Sequence, residues 1–147
     1  MSFTGLEAFD TTVQKTNIWL DEVMSELGWD NRHKAYIALR AVLHALRDRL
    51  MPEEAVELGA QLPVLVRGFY YEGWKIAGRP IKYDRDEFFY QVLKEFPGEP
   101  ALDVERVVRG VFRVLARRVD CGEVRDVVGL LPKGLRDLWE NLCAVTR

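Results

Sequence analysis

Four arginines, Arg106, Arg109, Arg113 and Arg117, follow one another at helical spacing. On a helix they share one face, where they form the best candidate for contact with phosphate or another anion. The net charge of −2 gives no general attraction to nucleic acid, so a solvated face is the expected role and nucleic acid is disfavoured as a partner. A second constellation joins Arg67, Tyr70, Tyr71, Glu72 and Trp74. Aromatic rings beside a guanidinium suit a ligand pocket or an interface hot spot, with Trp139 as a further candidate. The same residues share one side of a helix, so they equally suit a packed seam with Arg67 paired inside it. Arg49 with Glu54, and Arg118 with Glu123, recur at one spacing and are expected to be structural ion pairs tying helix ends to the following turns.

Signatures of catalysis are missing. His33 and His44 lack a third imidazole, and no acid–histidine pair has metal-ligand spacing. No nucleophile elbow, phosphate-cradling glycine loop or dinucleotide fingerprint is present. The two cysteines, Cys121 and Cys143, lie far apart, which points to reduced thiols and no zinc. Glu22, Glu26 and Asp30 read as a wet face rather than a cation site. No metal, cofactor or catalytic residue is therefore expected.

The elements that must carry these groups are helices. Thr11 and Gln14 form a capping-box pattern before a first helix to about Leu27, with Trp19, Leu20, Val23, Met24 and Leu27 inward. Gly28 stops it. Asp30 or Asn31 starts a second helix to about Leu50, with Ala35, Leu39, Val42, Leu43 and Leu46 as its stripe. Pro52, Glu53 and Glu54 open a short third helix with Ala55, Leu58 and Leu62 inward. Pro63 opens a fourth, ending near Trp74. After a connector at 75–83, Asp84 caps a fifth helix carrying Phe88, Phe89, Val92, Leu93 and Phe96. Asp103 caps a sixth with a valine-rich stripe, Asp120 a seventh, and Pro132 starts an eighth running through Trp139 to the end.

Pro63 and Pro132 differ by 132 − 63 = 69, and that shift aligns the chain with itself without a gap. It pairs Trp19 with Phe88, Val23 with Val92, Arg40 with Arg109, Leu46 with Leu115, Arg49 with Arg118, Glu54 with Glu123, Leu62 with Leu131 and Arg67 with Arg136. The expected fold is all-α: eight helices as two tandem four-helix repeats with pseudo-two-fold symmetry in a single domain, 1–147. Repeat one spans about 10–76 and repeat two about 84–145. One such unit alone would be marginal, so the two must bury their apolar sides together.

The runs Ala38-Leu39-Arg40-Ala41-Val42-Leu43, Leu46-Arg47-Asp48-Arg49-Leu50, Gln61-Leu62-Pro63 and Arg67-Gly68-Phe69-Tyr70-Tyr71-Glu72-Gly73-Trp74 resemble the bacterial "domain of unknown function 2267" family. The resemblance covers roughly residues 10–140, including Leu131-Pro132 and Leu135-Arg136. It implies a helical fold and a prokaryotic source, and it brings no activity and no catalytic residues.

Composition fits a folded globular chain, with 48% hydrophobic and 30% charged residues. No apolar run reaches the roughly 18 residues of a membrane span, and the N-terminus lacks a charged segment before an apolar stretch, so a cytoplasmic location is expected. Phe3, Leu6 and Phe9, with Tyr36 and Ile37, form either a self-association patch or a lead-in packed on the domain. The expected function is a non-catalytic protein-interaction or scaffolding module. The alternative is a small-ligand or anion binder in the groove between the repeats, using Arg67, Tyr70, Tyr71 and Trp139.

Overall fold

A computed structural model describes residues 2–140. The end of the expected second repeat, the last stretch of the expected eighth helix and Cys143 lie outside the described residues. Among those described the chain is all-helical, with eight helices and no strand: α1 Glu7–Leu27, α2 Arg32–Arg49, α3 Pro52–Ala60, α4 Val64–Tyr71, α5 Arg85–Leu93, α6 Val104–Arg118, α7 Cys121–Gly129 and α8 Lys133–Arg136. None of them is long and apolar enough to cross a membrane.

Most boundaries follow from local chemistry. The Asn31 side chain accepts from the Lys34 amide, and Asp103 from that of Arg106, each satisfying one of the amides left over at a helix start. Asp84 and Glu87 complete a reciprocal capping box at α5. Gly28 ends α1 in the left-handed region at φ 67°, a conformation that costs glycine little. Pro52 occupies the first turn of α3, where no amide is needed.

Two ends depart from expectation. α1 begins at Glu7, ahead of Thr11, because the preceding segment is folded onto its first turn. Asp10 accepts from the Thr4 amide at 2.8 Å, from the Thr4 hydroxyl at 2.8 Å and from the Ser2 hydroxyl. Thr12, freed from local capping, accepts from the Leu65 amide at 2.9 Å and so caps α4 from another helix. α8 ends at Arg136, and Trp139 packs from the turn beyond it.

One apolar core runs through all eight helices. α1 lies on α6 while α2 lies on α5, and α2 also meets α6. The expected stripe of α2 is fully buried. Gly110 of α6 sits where α1 crosses: a Cβ there would come 2.7 Å from Leu27 Cδ2. α3 and α7 pack together at one end, and α3 also contacts α4.

Candidate functional site

α4 is fastened to α3 through backbone carbonyls. The Tyr70 hydroxyl donates to the Ala55 carbonyl at 2.6 Å, and that of Tyr71 to Val56 at 3.3 Å. Arg67 donates to the carbonyls of Gly59 and Leu62, each at 2.9 Å. Tyr70 is fully buried, and burial pushes its phenol well above the ordinary range. Tyr71 stacks on Trp74, and Trp139 stacks on Phe112 with centroids 4.0 Å apart. The structure thus brings Arg67, Tyr70, Tyr71 and Trp74 into one seam, with Trp139 in a separate part of the core.

Arg47 holds the far end of α4, a role for which its sequence position gave no hint. It is buried, and donates to the carbonyls of Tyr70 (2.7 Å) and Glu72 (3.0 Å) and to the Asp48 carboxylate (2.9 Å). Beside it, His44 meets the Phe69 carbonyl at 2.6 Å, which makes its Nε2 the protonated, donating nitrogen. Burial holds the His44 pKa below the usual imidazole value.

The arginine stripe faces acids. Arg109 pairs with Glu105 at 2.8 Å, Arg113 with Glu140 at 3.1 Å and Glu26 at 3.3 Å, and Arg117 with Glu26 at 3.0 Å. Glu22 and Glu26 are therefore the α1 side of a charge ladder to α6, not the wet face expected of them. Arg106 approaches Gly28 at the C-terminus of α1.

The expected ion pairs Arg49–Glu54 and Arg118–Glu123 do not form among the described residues. Arg49 donates to the Tyr83 carbonyl at 3.3 Å, and Arg118 pairs with Glu22. Both arginines end their helices engaged elsewhere, while the two glutamates come together at the α3–α7 contact. There Glu54 and Glu57 of α3 and Glu123 and Asp126 of α7 each offer a carboxylate oxygen, all within 4.8 Å of one another. Glu123 is only 8% exposed. Oε2 of Glu54 and Oε2 of Glu123 are shielded from water and, among the described residues, have no hydrogen-bond donor. Two ionised carboxylates cannot donate to each other, but one shared proton would join them. The Glu123 carboxyl is accordingly pushed up to about 8, first by burial, then by its hydrogen bond to Glu54 and the charges of Glu54, Glu57 and Asp126. The cap at Asp120 stops short of a reciprocal capping box for the same reason. Asp120 accepts from the Gly122 and Glu123 amides, but the Glu123 side chain turns inward instead of returning to the cap. The recurring Glu-x-x-acid spacing was the available sequence signal for this cluster.

Open clefts border α1. One, of about 670 Å³, is lined by Val13, Leu20, Tyr36, Leu65 and Phe69 among others and is largely apolar. Another, of about 430 Å³, includes Lys15, Arg67 and Arg118. Cys121 at the start of α7 is disulfide-bonded, a correction to the expectation of a reduced thiol.

A family model described as "Uncharacterized conserved protein (DUF2267)" matches residues 16–138. The chain belongs to this family. The DUF2267 match takes in α2 through α8 and most of α1, so the seam, the α1–α6 charge ladder and the carboxylate cluster lie within it, while Glu140 lies outside. The segment holding Phe3, Leu6 and Phe9 lies outside it. The description of DUF2267 assigns no activity, and no curated protein matches the chain.

Proposed function

We propose that this DUF2267 chain is a non-catalytic interaction module that associates with a second copy of itself. The observation that carries the reading is an apolar stripe beside an apolar groove. Phe3, Leu6 and Phe9 are 90%, 50% and 57% exposed. Phe9 lies one turn before Val13 on α1, and Val13 lines the groove formed with Leu20, Tyr36, Leu65 and Phe69. Stripe and groove adjoin through Phe9 and Val13 of α1, with Phe3 and Leu6 in the segment folded before the helix, so a two-fold axis would let each copy lay its stripe in the other's groove. Exposed apolar residues gathered in this way mark association surfaces more often than scattered ones do.

The module is built, in this reading, from two tandem four-helix units related by a pseudo-two-fold axis. α3 and α7 have nine residues each, and their first residues, Pro52 and Cys121, differ by 121 − 52 = 69. Arg67 donates to the Leu62 carbonyl at 2.9 Å and Arg136 to the Leu131 carbonyl at 2.8 Å, the same bond made once in each unit. The crossed packing of α1 on α6 and α2 on α5 is what such an axis requires.

Sedimentation velocity over a range of concentrations tests the association. A dimer that Phe9→Asp or Leu65→Asp turns into a monomer of unchanged helicity supports it, and a wild-type monomer at every concentration overturns it. A second reading takes the cleft holding Lys15, Arg67 and Arg118 as an anion site. Arg67 and Arg118 already spend donors on carbonyls and on Glu22, leaving Lys15 as the group open to an anion. Stabilisation by inorganic phosphate that Lys15→Ala abolishes would favour this reading.

A further inference from the structure

We propose that Glu54, Glu57, Glu123 and Asp126 hold a single hard divalent cation, of the Ca²⁺ or Mn²⁺ type, between α3 and α7. Each helix contributes two acids three positions apart, so each pair lies on one face, one turn apart. The donors are all carboxylate oxygens, the set that Ca²⁺, Mg²⁺ and Mn²⁺ prefer and that softer metals do not. Ligands on opposite sides of a cation bound at about 2.1 to 2.4 Å are about 4.2 to 4.8 Å apart. One oxygen from each of the four groups falls within 4.8 Å of the others, so the cluster already has the width of one coordination shell.

The pattern of burial supports the same reading. Glu57 and Asp126 are exposed, Glu54 is half-buried, and Glu123 is 8% exposed with its Oε2 unpartnered. Acids packed this closely ordinarily recruit a lysine or arginine. Among the described residues none of the four takes part in an ion pair. The arginines placed to do so, Arg49 and Arg118, are engaged elsewhere. A buried acid facing three others, with no cation supplied by the described residues, is left with a proton or a metal ion as its counter-charge. Four carboxylates carry more charge than Mg²⁺ sites ordinarily use, and Mg²⁺ gives up its water reluctantly, so Ca²⁺ and Mn²⁺ are the better fits. The exposed rim leaves room for a water ligand. The bound ion would staple the two contacting helices, and this role is independent of self-association.

Isothermal titration of the full, chelator-treated chain with Mn²⁺, and separately with Ca²⁺ and Mg²⁺, tests the proposal. The expected result is one Mn²⁺ or Ca²⁺ per chain, with an enthalpy that depends on the buffer because a proton leaves as the ion enters. Glu123→Gln and Glu54→Gln preserve shape and relieve repulsion, so both should fold, and each should weaken binding at least about tenfold. Asp126→Asn, at the exposed rim, supplies an independent variant with the same expected direction. Glu22→Gln, in the charge ladder, should bind as the wild type does. No saturable heat with any of the three ions at millimolar concentration would overturn the proposal. So would undiminished binding by Glu123→Gln and Asp126→Asn, which would locate the ion elsewhere.

Discussion

Glu54 and Glu123, which stand 123 − 54 = 69 positions apart, meet at the α3–α7 contact, and each keeps one carboxylate oxygen shielded from water with no donor among the described residues. Two acids at equivalent places in the self-alignment have come together where each was expected to pair with a nearby arginine. The rest of the α3–α7 end follows from that meeting: a half-made cap at Asp120, Arg118 redirected to Glu22, and a carboxyl group held protonated near neutrality.

Stability without metal should fall as pH rises. The Glu123 carboxyl titrates at 4.5 ordinarily and at about 8 here, chiefly because it is buried, with the charges of Glu54, Glu57 and Asp126 adding to the effect. Tyr70 of α4 also lies within reach of its charge. Between those values the folded chain keeps a proton that the unfolded chain has lost. The stabilisation is complete below the lower value, declines through the window and is gone above the upper one. Thermal melts in chelator should show wild-type Tm falling relative to Glu123→Gln across this range, with the variant the more stable at its alkaline end. Parallel profiles would contradict this origin of the shift.

Removing Arg47 should be costly. Its guanidinium serves two carbonyls at the end of α4 and the Asp48 carboxylate, all from a buried position. Arg47→Met keeps the volume but leaves these acceptors short of donors, with Arg79 alone remaining on Asp48. A loss of about 3 kcal/mol is expected by urea denaturation, the range for breaking a buried charge-assisted network. A change within measurement error would mean that water replaces the guanidinium.

Two glycines should respond with opposite signs. Gly110→Ala places a methyl group 2.7 Å from Leu27 Cδ2 and 3.5 Å from Glu26 Cβ, where α1 and α6 cross. Overpacking of about 1 to 3 kcal/mol should exceed the gain in helix propensity of about 1 kcal/mol. Gly68→Ala in α4 meets nothing within 4 Å, so the propensity gain stands alone. Chemical denaturation of both variants checks the pair of signs.

Helix identity was legible because starts and stops are written locally. Asp84, Asp103 and Asp120 cap where they were expected to, Asn31 is the cap of the two candidates Asp30 and Asn31, and Gly28 terminates α1. The inward stripes of the first, second and sixth helices were readable from spacing alone. What spacing could not reveal is tertiary competition for side chains. Thr11 and Gln14 look like a cap, yet Asp10 organises the segment before them and Thr12 caps a different helix. The arginine stripe was visible, but Glu26, which pairs with Arg113 and Arg117, sits on α1, about 90 residues earlier in the chain. The carboxylate cluster needed the α3–α7 contact, which no local pattern specifies.

The reciprocal fit of stripe into groove is tested most directly by mixing two damaged chains. Phe9→Asp spoils the stripe and leaves the groove intact, whereas Leu65→Asp spoils the groove and leaves the stripe intact. Sedimentation of each variant alone should give a monomer, and sedimentation of the mixture should give a heterodimer, weaker than the wild-type dimer because only one of its two contacts is whole. A Leu65→Asp chain that dimerises alone, or a mixture that stays monomeric at every concentration, would contradict the account.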